Sequence, residues 1–325
     1  MTRLGCAAVL ALLGLALGSP TGSSLAQGYP ERPVRMIVPF AAGGPADVYA
    51  RVLGQHLSEA LKQPFVIEDH PGASSIVGTE AVAKAAPDGY TLLVMSNAHT
   101  TNESLFAHKS FELMRDFVPI APINSSDLVM VVHPSVPASN LEEFIALAKS
   151  KPSSLSYASS GAGTPYHMAG ELFKAMSRTD IVHVAYKGSS GARNDILGGQ
   201  VQMMFDAITT MAPNVRAGQV RALGTTGMKR STVLPDVPTI GEAGVPNYEA
   251  TIWLGIMAPK GTPRAIVDKL NAEISRVVNL PDVKQQWAVQ GAEPMVMTPA
   301  EFDAYLRKDI EKWANVVKVS GAKVE

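Results

Sequence analysis

A two-domain α/β fold is predicted by three observations on this 325-residue sequence. Short apolar runs alternate with amphipathic stretches, and the alternation starts over midway along the chain. Two almost wholly apolar segments lie where the halves would join. Alternating strand and helix signals argue for an open, mostly parallel sheet with helices on both faces. A single core rarely grows beyond about 250–300 residues, which favours two domains over one.

The elements follow in order. Val34 to Phe40 reads as a buried strand, and Pro45 to Leu61 as a helix, with Val48, Val52, Leu53, Leu57, Ala60 and Leu61 near the helical period. Phe65 to Glu68 is a short strand, Gly78 to Ala86 a helix stopped by Pro87-Asp88-Gly89, and Tyr90 to Met95 a strand. The second round has Leu155 to Ser159, a helix from Pro165 to Met176, Ile181 to Tyr186, a helix from Ala192 to Leu197, and Val201 to Asp206. The joining segments are Leu128 to His133, which precedes Pro134 and a helix Leu141 to Lys149, and Trp253 to Ala258, which precedes Pro259. If both change domain, residues 28–127 with 254–325 form the first domain and 128–253 the second. Two crossings make a hinge.

Residues 1–26 read as a cleaved export signal. Arg3 opens the chain, an apolar run follows from Leu4 to Leu17, and Ser24-Leu25-Ala26 sets small residues ahead of a cleavage after Ala26. The apolar run is shorter than the roughly 20 residues that span a bilayer. Cys6, the only cysteine, lies in this leader, so the exported chain would have no disulfide, thiol nucleophile or cysteine metal site. A net charge of −1 without long charge runs implies neither nucleic acid nor a membrane surface as partner.

Open α/β sheets bind ligands beyond the carboxyl ends of their strands. Two such junctions are built from small residues: Phe40-Ala41-Ala42-Gly43-Gly44, with Asp47 in the helical turn that follows, and Ser159-Ser160-Gly161-Ala162-Gly163-Thr164 in the second round. Small side chains leave backbone N–H groups bare at the positive end of a helix, where amides alone can hold an anion. The plainer reading makes Gly43-Gly44 a tight turn and Asp47 a helix cap. Ser96 and Asn97 follow another strand and supply neutral donors and acceptors, in a segment 96–102 read as a junction. Asp206 ends a strand, as ligand acceptor or as cap. His167, one turn into its helix, is a ligand contact or a structural hydrogen bonder, and Lys187 a contact or a solvated charge.

Catalytic signatures are missing. Gly188-Ser189-Ser190-Gly191 has the wrong spacing for a nucleophile elbow, no Walker-type loop occurs, and no H-E-x-x-H or tight His/Asp cluster suggests a metal. Binding without catalysis, cofactor or metal is the expectation.

The motifs then match a known pattern. Tyr29-Pro30-x-Arg32-Pro33 leads to Ile37 through Gly44 and Asp47, then Pro71-Gly72-Ala73 and Ala86-Pro87-Asp88-Gly89-Tyr90. Tyr157-Ala158-Ser159-Ser160-Gly161-x-Gly163-Thr164 comes next, with Gly199-Gln200-Val201 running to Phe205-Asp206. Leu234-Pro235-Asp236-Val237-Pro238, Trp253-x-Gly255 and Ala258-Pro259-x-Gly261-Thr262-Pro263 close the series. In this order they resemble the Bug-type, TctC-like solute-binding receptors of tripartite tricarboxylate transporters, over nearly the whole exported chain. The resemblance implies a two-lobed, Venus-flytrap periplasmic binding protein whose paired loops hold a carboxylate. Carried over, it names Phe40 to Gly43, Asp47, Ser159 to Gly161, Gly163, Thr164 and Asp206. Ser74-Ser75 depart from the glycines often found there, and Asp69-His70 from Asn-Arg. Ligands would be di- or tricarboxylates, acidic amino acids or aromatic acids, with specificity varying at Ser96 to Phe106 and around Trp253. The partner would be membrane permease subunits, or alternatively a sensor protein, and the chain a monomer. An exported hydrolase or isomerase using Asp206 or His167 as base is a third reading.

Overall fold

The computed structural model describes residues 28–106, 108–186, 188–320 and 322. The leader, its cleavage point and Lys187 lie outside the described residues. Two sheets organise the chain. The first holds β1 (Val34–Val38), β2 (Phe65–Asp69), β3 (Thr91–Ser96), β4 (Phe117–Ser126), β10 (Ile252–Pro259) and β11 (Ala292–Pro294), ordered β11-β4-β10-β3-β1-β2. The second holds β5 (Leu128–Val132), β6 (Ser156–Ser159), β7 (Val182–Ala185), β8 (Met203–Ala207) and β9 (Arg221–Thr225), ordered β7-β6-β8-β5-β9.

Strand residues alternate between two apolar layers, as the pleat requires. Met36 and Val38 join one core with Leu92, Val94 and Ile256, while Ile37, Leu93, Met95 and Met257 join another on the opposite face. The second sheet repeats the scheme: Leu128, Met130 and Val132 face Tyr157 and Phe205, whereas Val129 and Val131 face Ala158 and Met204. Helices cover both faces, and Pro45–Leu61 lays Leu53 and Leu57 into the same cluster as Leu270, Ile274 and Val277 of Arg264–Val278.

The sheets are mixed, which corrects the expectation of mostly parallel strands. β1 pairs β2 and β3 in parallel, and β6 pairs β7 and β8 in parallel. Against these, β10 runs antiparallel to β3 and β4, and β5 antiparallel to β8 and β9. The crossings cause the reversal. A strand arriving from the other lobe enters at the edge where the parallel strands end, so it must run against them. Leu254 accordingly lies opposite Ser96, the last residue of β3, and Leu128 opposite Ala207, the last residue of β8.

One residue, Asp127, separates β4 from β5 at the first crossing. The return path, residues 226–251, is tied to it, because Leu128 N donates to Thr226 Oγ1 at 2.8 Å and Thr226 N to Leu128 O at 3.0 Å. A third connection is the helix Pro299–Ser320. Its Phe302 and Leu306 pack with Trp253 and Met257, while its Trp313 and Val316 pack with Phe173 and Tyr248 of the second lobe. Between them Asp309 accepts from Thr100 Oγ1 at 2.6 Å and Trp253 Nε1 at 3.3 Å. Trp253 is therefore a buried core residue, and its ring meets Phe302 and Tyr305 edge-on. Among the described residues no helix is long and apolar enough to cross a membrane.

Candidate ligand-binding site

The first loop leaves the end of β1 and opens the helix Pro45–Leu61. Pro45 supplies a preset φ at the first helical position, and Gly43 takes φ +75°, a conformation costly for any side chain. Asp47 is buried and organises this turn: its Oδ2 accepts from Gly43 N at 2.7 Å, and its Oδ1 pairs with Arg51 Nε at 2.6 Å. Arg51 also bonds Asp69 at 3.0 Å. Burial and the neighbouring Asp47 raise the Asp69 carboxyl above its ordinary range. Gly44 N is held by Ala41 O at 3.3 Å. Ala41 and Ala42 are exposed, and their amides meet no acceptor among the described residues. Phe40 stands edge-on to His99, whose Nε2 lies 3.0 Å from Thr79 Oγ1.

The second loop leaves β6 and opens the helix Pro165–Ser177. Most of its polar groups bond within the lobe. Ser159 Oγ accepts from Gly161 N at 3.2 Å and lies 2.7 Å from His183 Nε2. Thr164 Oγ1 donates to Gly161 O at 2.7 Å, and Gly163 N donates to His167 Nδ1 at 3.0 Å. The amides of Ser160 and Ala162 meet no acceptor among the described residues. This loop touches the first lobe, since Ser74 Oγ donates to Ala162 O at 3.0 Å.

Beneath the second loop is a stack that sequence reasoning missed. The rings of His167 and His183 lie 4.0 Å apart at 20°, and Tyr157 lies 4.8 Å from His183. Burial lowers His167 to about 4 and His183 to about 3, so both are neutral near pH 7. His167 Nδ1 accepts one loop amide, from Gly163. The signal lay in strand pairing: Tyr157 faces His183 across β6 and β7, and single-strand patterns do not reveal register.

Ser96 and Asn97 are turned inward. The segment read as a junction is a helix, Asn97–Leu105, whose Ser96 cap accepts from Ala98 N at 3.2 Å. Asn97 Nδ2 donates to Thr251 O of the return path at 3.1 Å, leaving Oδ1 without a partner among the described residues. Asp206 is fully buried at the end of β8, where Oδ2 accepts from Arg193 Nε at 2.8 Å and Oδ1 from Ala207 N at 2.9 Å. Burial raises its pKa, and Arg193 opposes the shift. Nothing in the sequence pattern singled out Arg193.

Two lobes joined by crossing strands, each offering a helix-opening loop of bare amides, define a two-lobed solute-binding receptor of the periplasmic type. The chain belongs to the tripartite tricarboxylate transporter family of receptors, whose model matches residues 49–322. Protein BugT of Bordetella pertussis is 36% identical over 329 residues, covering 100% of this chain and 99% of that one. The structure of R. palustris Rpa4515 with adipate is 34% identical with a TM-score of 0.84, covering 91% of this chain and 100% of that one. MatC from Rhodopseudomonas palustris with bound malate is 33% identical with a TM-score of 0.81, covering 89% and 100%.

Proposed function

We propose that this protein captures a small carboxylate between its lobes and delivers it to the membrane permease of a tripartite transporter, without catalysis or cofactor. The observation that carries this is the pair of loops at the ends of β1 and β6. Each presents two unengaged amides, at Ala41 and Ala42 and at Ser160 and Ala162, beside a helix N-terminus. Such donors favour an anion without a fixed positive side chain. Adipate and malate in the two related structures support the same ligand chemistry. Asp47, Thr164 and His167 act in this reading by shaping the loops, and Phe40 by walling the first.

The moving units are residues 28–127 with 254–325 and residues 128–253, after removal of the leader 1–26, and the site closes as a monomer. The test is a thermal-shift titration of the purified protein with succinate, malate, adipate, citrate, glutamate and benzoate, each against its methyl ester or amide. Ligand at 100 times its Kd stabilises the fold by about 2.7 kcal/mol. A rise in Tm for an acid but not its ester is expected; no rise for any acid removes this function.

A further inference from the structure

Arg193 lies on the helix Ser189–Leu197, which packs against β6 and β8. Its guanidinium reaches the carboxyl end of β8, in the row of strand ends that also bears the second loop, because Ala158 pairs with Met204. There Nε donates to Asp206 Oδ2 at 2.8 Å, and the Arg193 side chain keeps 22% exposure while that of Asp206 has 0%. Asp206 is held on both oxygens, by Arg193 Nε and by Ala207 N, so it fixes the guanidinium plane from one side. The two Nη groups of Arg193 donate to no acceptor among the described residues.

An arginine bound through Nε retains its Nη1/Nη2 edge, a pair of parallel donors matched to the two oxygens of a carboxylate. The loop amides suit one carboxylate. A second carboxylate on the same ligand needs its own donors, and the net-neutral Arg193–Asp206 pair supplies them without an unbalanced charge in the empty site. Resting on the reading above, we propose that Arg193 binds the distal carboxylate of a dicarboxylate ligand, with Asp206 as its positioning residue, so that this pair selects diacids over monoacids.

The experiment measures Kd for succinate, glutarate, adipate and malate and for their monomethyl esters, on the purified full-length protein and on Arg193→Met/Asp206→Asn and Arg193→Lys. The double variant replaces the pair without leaving Asp206 charged, and Arg193→Lys keeps the charge but loses the fork. For the wild type, at least one diacid is expected to bind roughly tenfold or more tightly than its monoester. That ratio should fall to within about twofold in the double variant and lie between in Arg193→Lys. Wild-type preference for the diacid should also weaken with salt more than monoester binding does, a readout that stands if a variant fails to fold. A ratio unchanged in the folded variants, or a wild type that binds diacid and monoester equally, overturns the role of Arg193 while leaving carboxylate capture intact. A wild type that binds none of these acids overturns both.

Discussion

Ser74 and Ala162 join the lobes directly: a hydroxyl from the turn after β2 donates to a carbonyl of the second loop at 3.0 Å. Ser74 reaches it from a left-handed stretch in which Ala73, Ser74 and Ser75 have φ of 44°, 52° and 80°. Asn102 steadies the turn by donating to Ser74 O at 2.7 Å. Ser74→Ala removes a bond between lobes, and a typical hydrogen bond contributes about 1 kcal/mol. Ligand affinity should fall about fivefold, mainly through faster dissociation, with little change in Tm. Stopped-flow dissociation of a bound acid checks this; an unchanged off-rate would show that the contact does not help hold the closed form.

The same turn predicts a stabilising change. Left-handed backbone costs a residue with a Cβ roughly 1–2 kcal/mol, a strain glycine does not feel. Ala73 is exposed, so Ala73→Gly removes the strain without emptying a core. Part of the gain returns as extra freedom of the unfolded chain, about 0.5–1 kcal/mol. A small rise in Tm is expected, and a fall would mean the turn is set by contacts of the Ala73 methyl.

Asp47 fixes the first loop through Gly43 N and Arg51. Asp47→Ala removes the acceptor of a partly buried loop amide, at a cost of about 1 kcal/mol, and should weaken acid binding at least as much as it lowers stability. Asp47→Asn retains an acceptor and should fall between alanine and wild type in both Tm and Kd. Equal affinity in all three proteins would detach Asp47 from the site.

Acid should loosen the second loop. His167 and His183 have folded pKa values of about 4 and about 3, below the roughly 6.5 of an unfolded chain, and burial is the leading cause in both. The unfolded state then binds more protons between about pH 6.5 and 4, so their contribution, complete above 6.5, declines as pH falls through that window. Glu171 and Lys174 face the same stack. Burial holds Asp127 and Asp309 up near 6, and these carboxyls act in the opposite sense, easing their own burial as they protonate. Comparing His183→Gln with wild type cancels that background. The variant should lose less Tm between pH 7 and pH 4.5, and parallel pH profiles would contradict the assignment.

Gly170 lies against the Tyr157 ring, and a Cβ there would sit 2.3 Å from its nearest atom. Tyr157 is buried and bonded to Glu171 at 2.7 Å, so the ring has no easy retreat. Gly170→Ala should cost about 1–3 kcal/mol and reduce acid affinity by tilting His183 away from Ser159. Normal Tm and Kd would show that the helix can shift instead.

The helix Pro45–Leu61 begins and ends where its periodicity placed it, since Gly44-Pro45 and a left-handed Lys62 punctuate the same apolar stripe. Both crossings were legible as apolar runs buried on two faces. The strand directions were not, because direction follows from the edge at which a strand enters. Nor was the dual anchorage of the last helix: Phe302, Leu306, Trp313 and Val316 form one stripe, and a stripe does not say that two cores share it. The two strand–helix loops could be read as elements, but the inward bonding of Ser159 could not, because its partner His183 arrives through register.

A helix rises about 1.5 Å per residue, so Phe302 and Trp313 are set some 16 Å apart on one stiff rod. Each end is socketed in a different lobe. Swinging the lobes about the crossing strands must swivel an indole in its socket or flex the rod. If the lobes close on an acid as proposed, the grip on Trp313 helps set how long it stays.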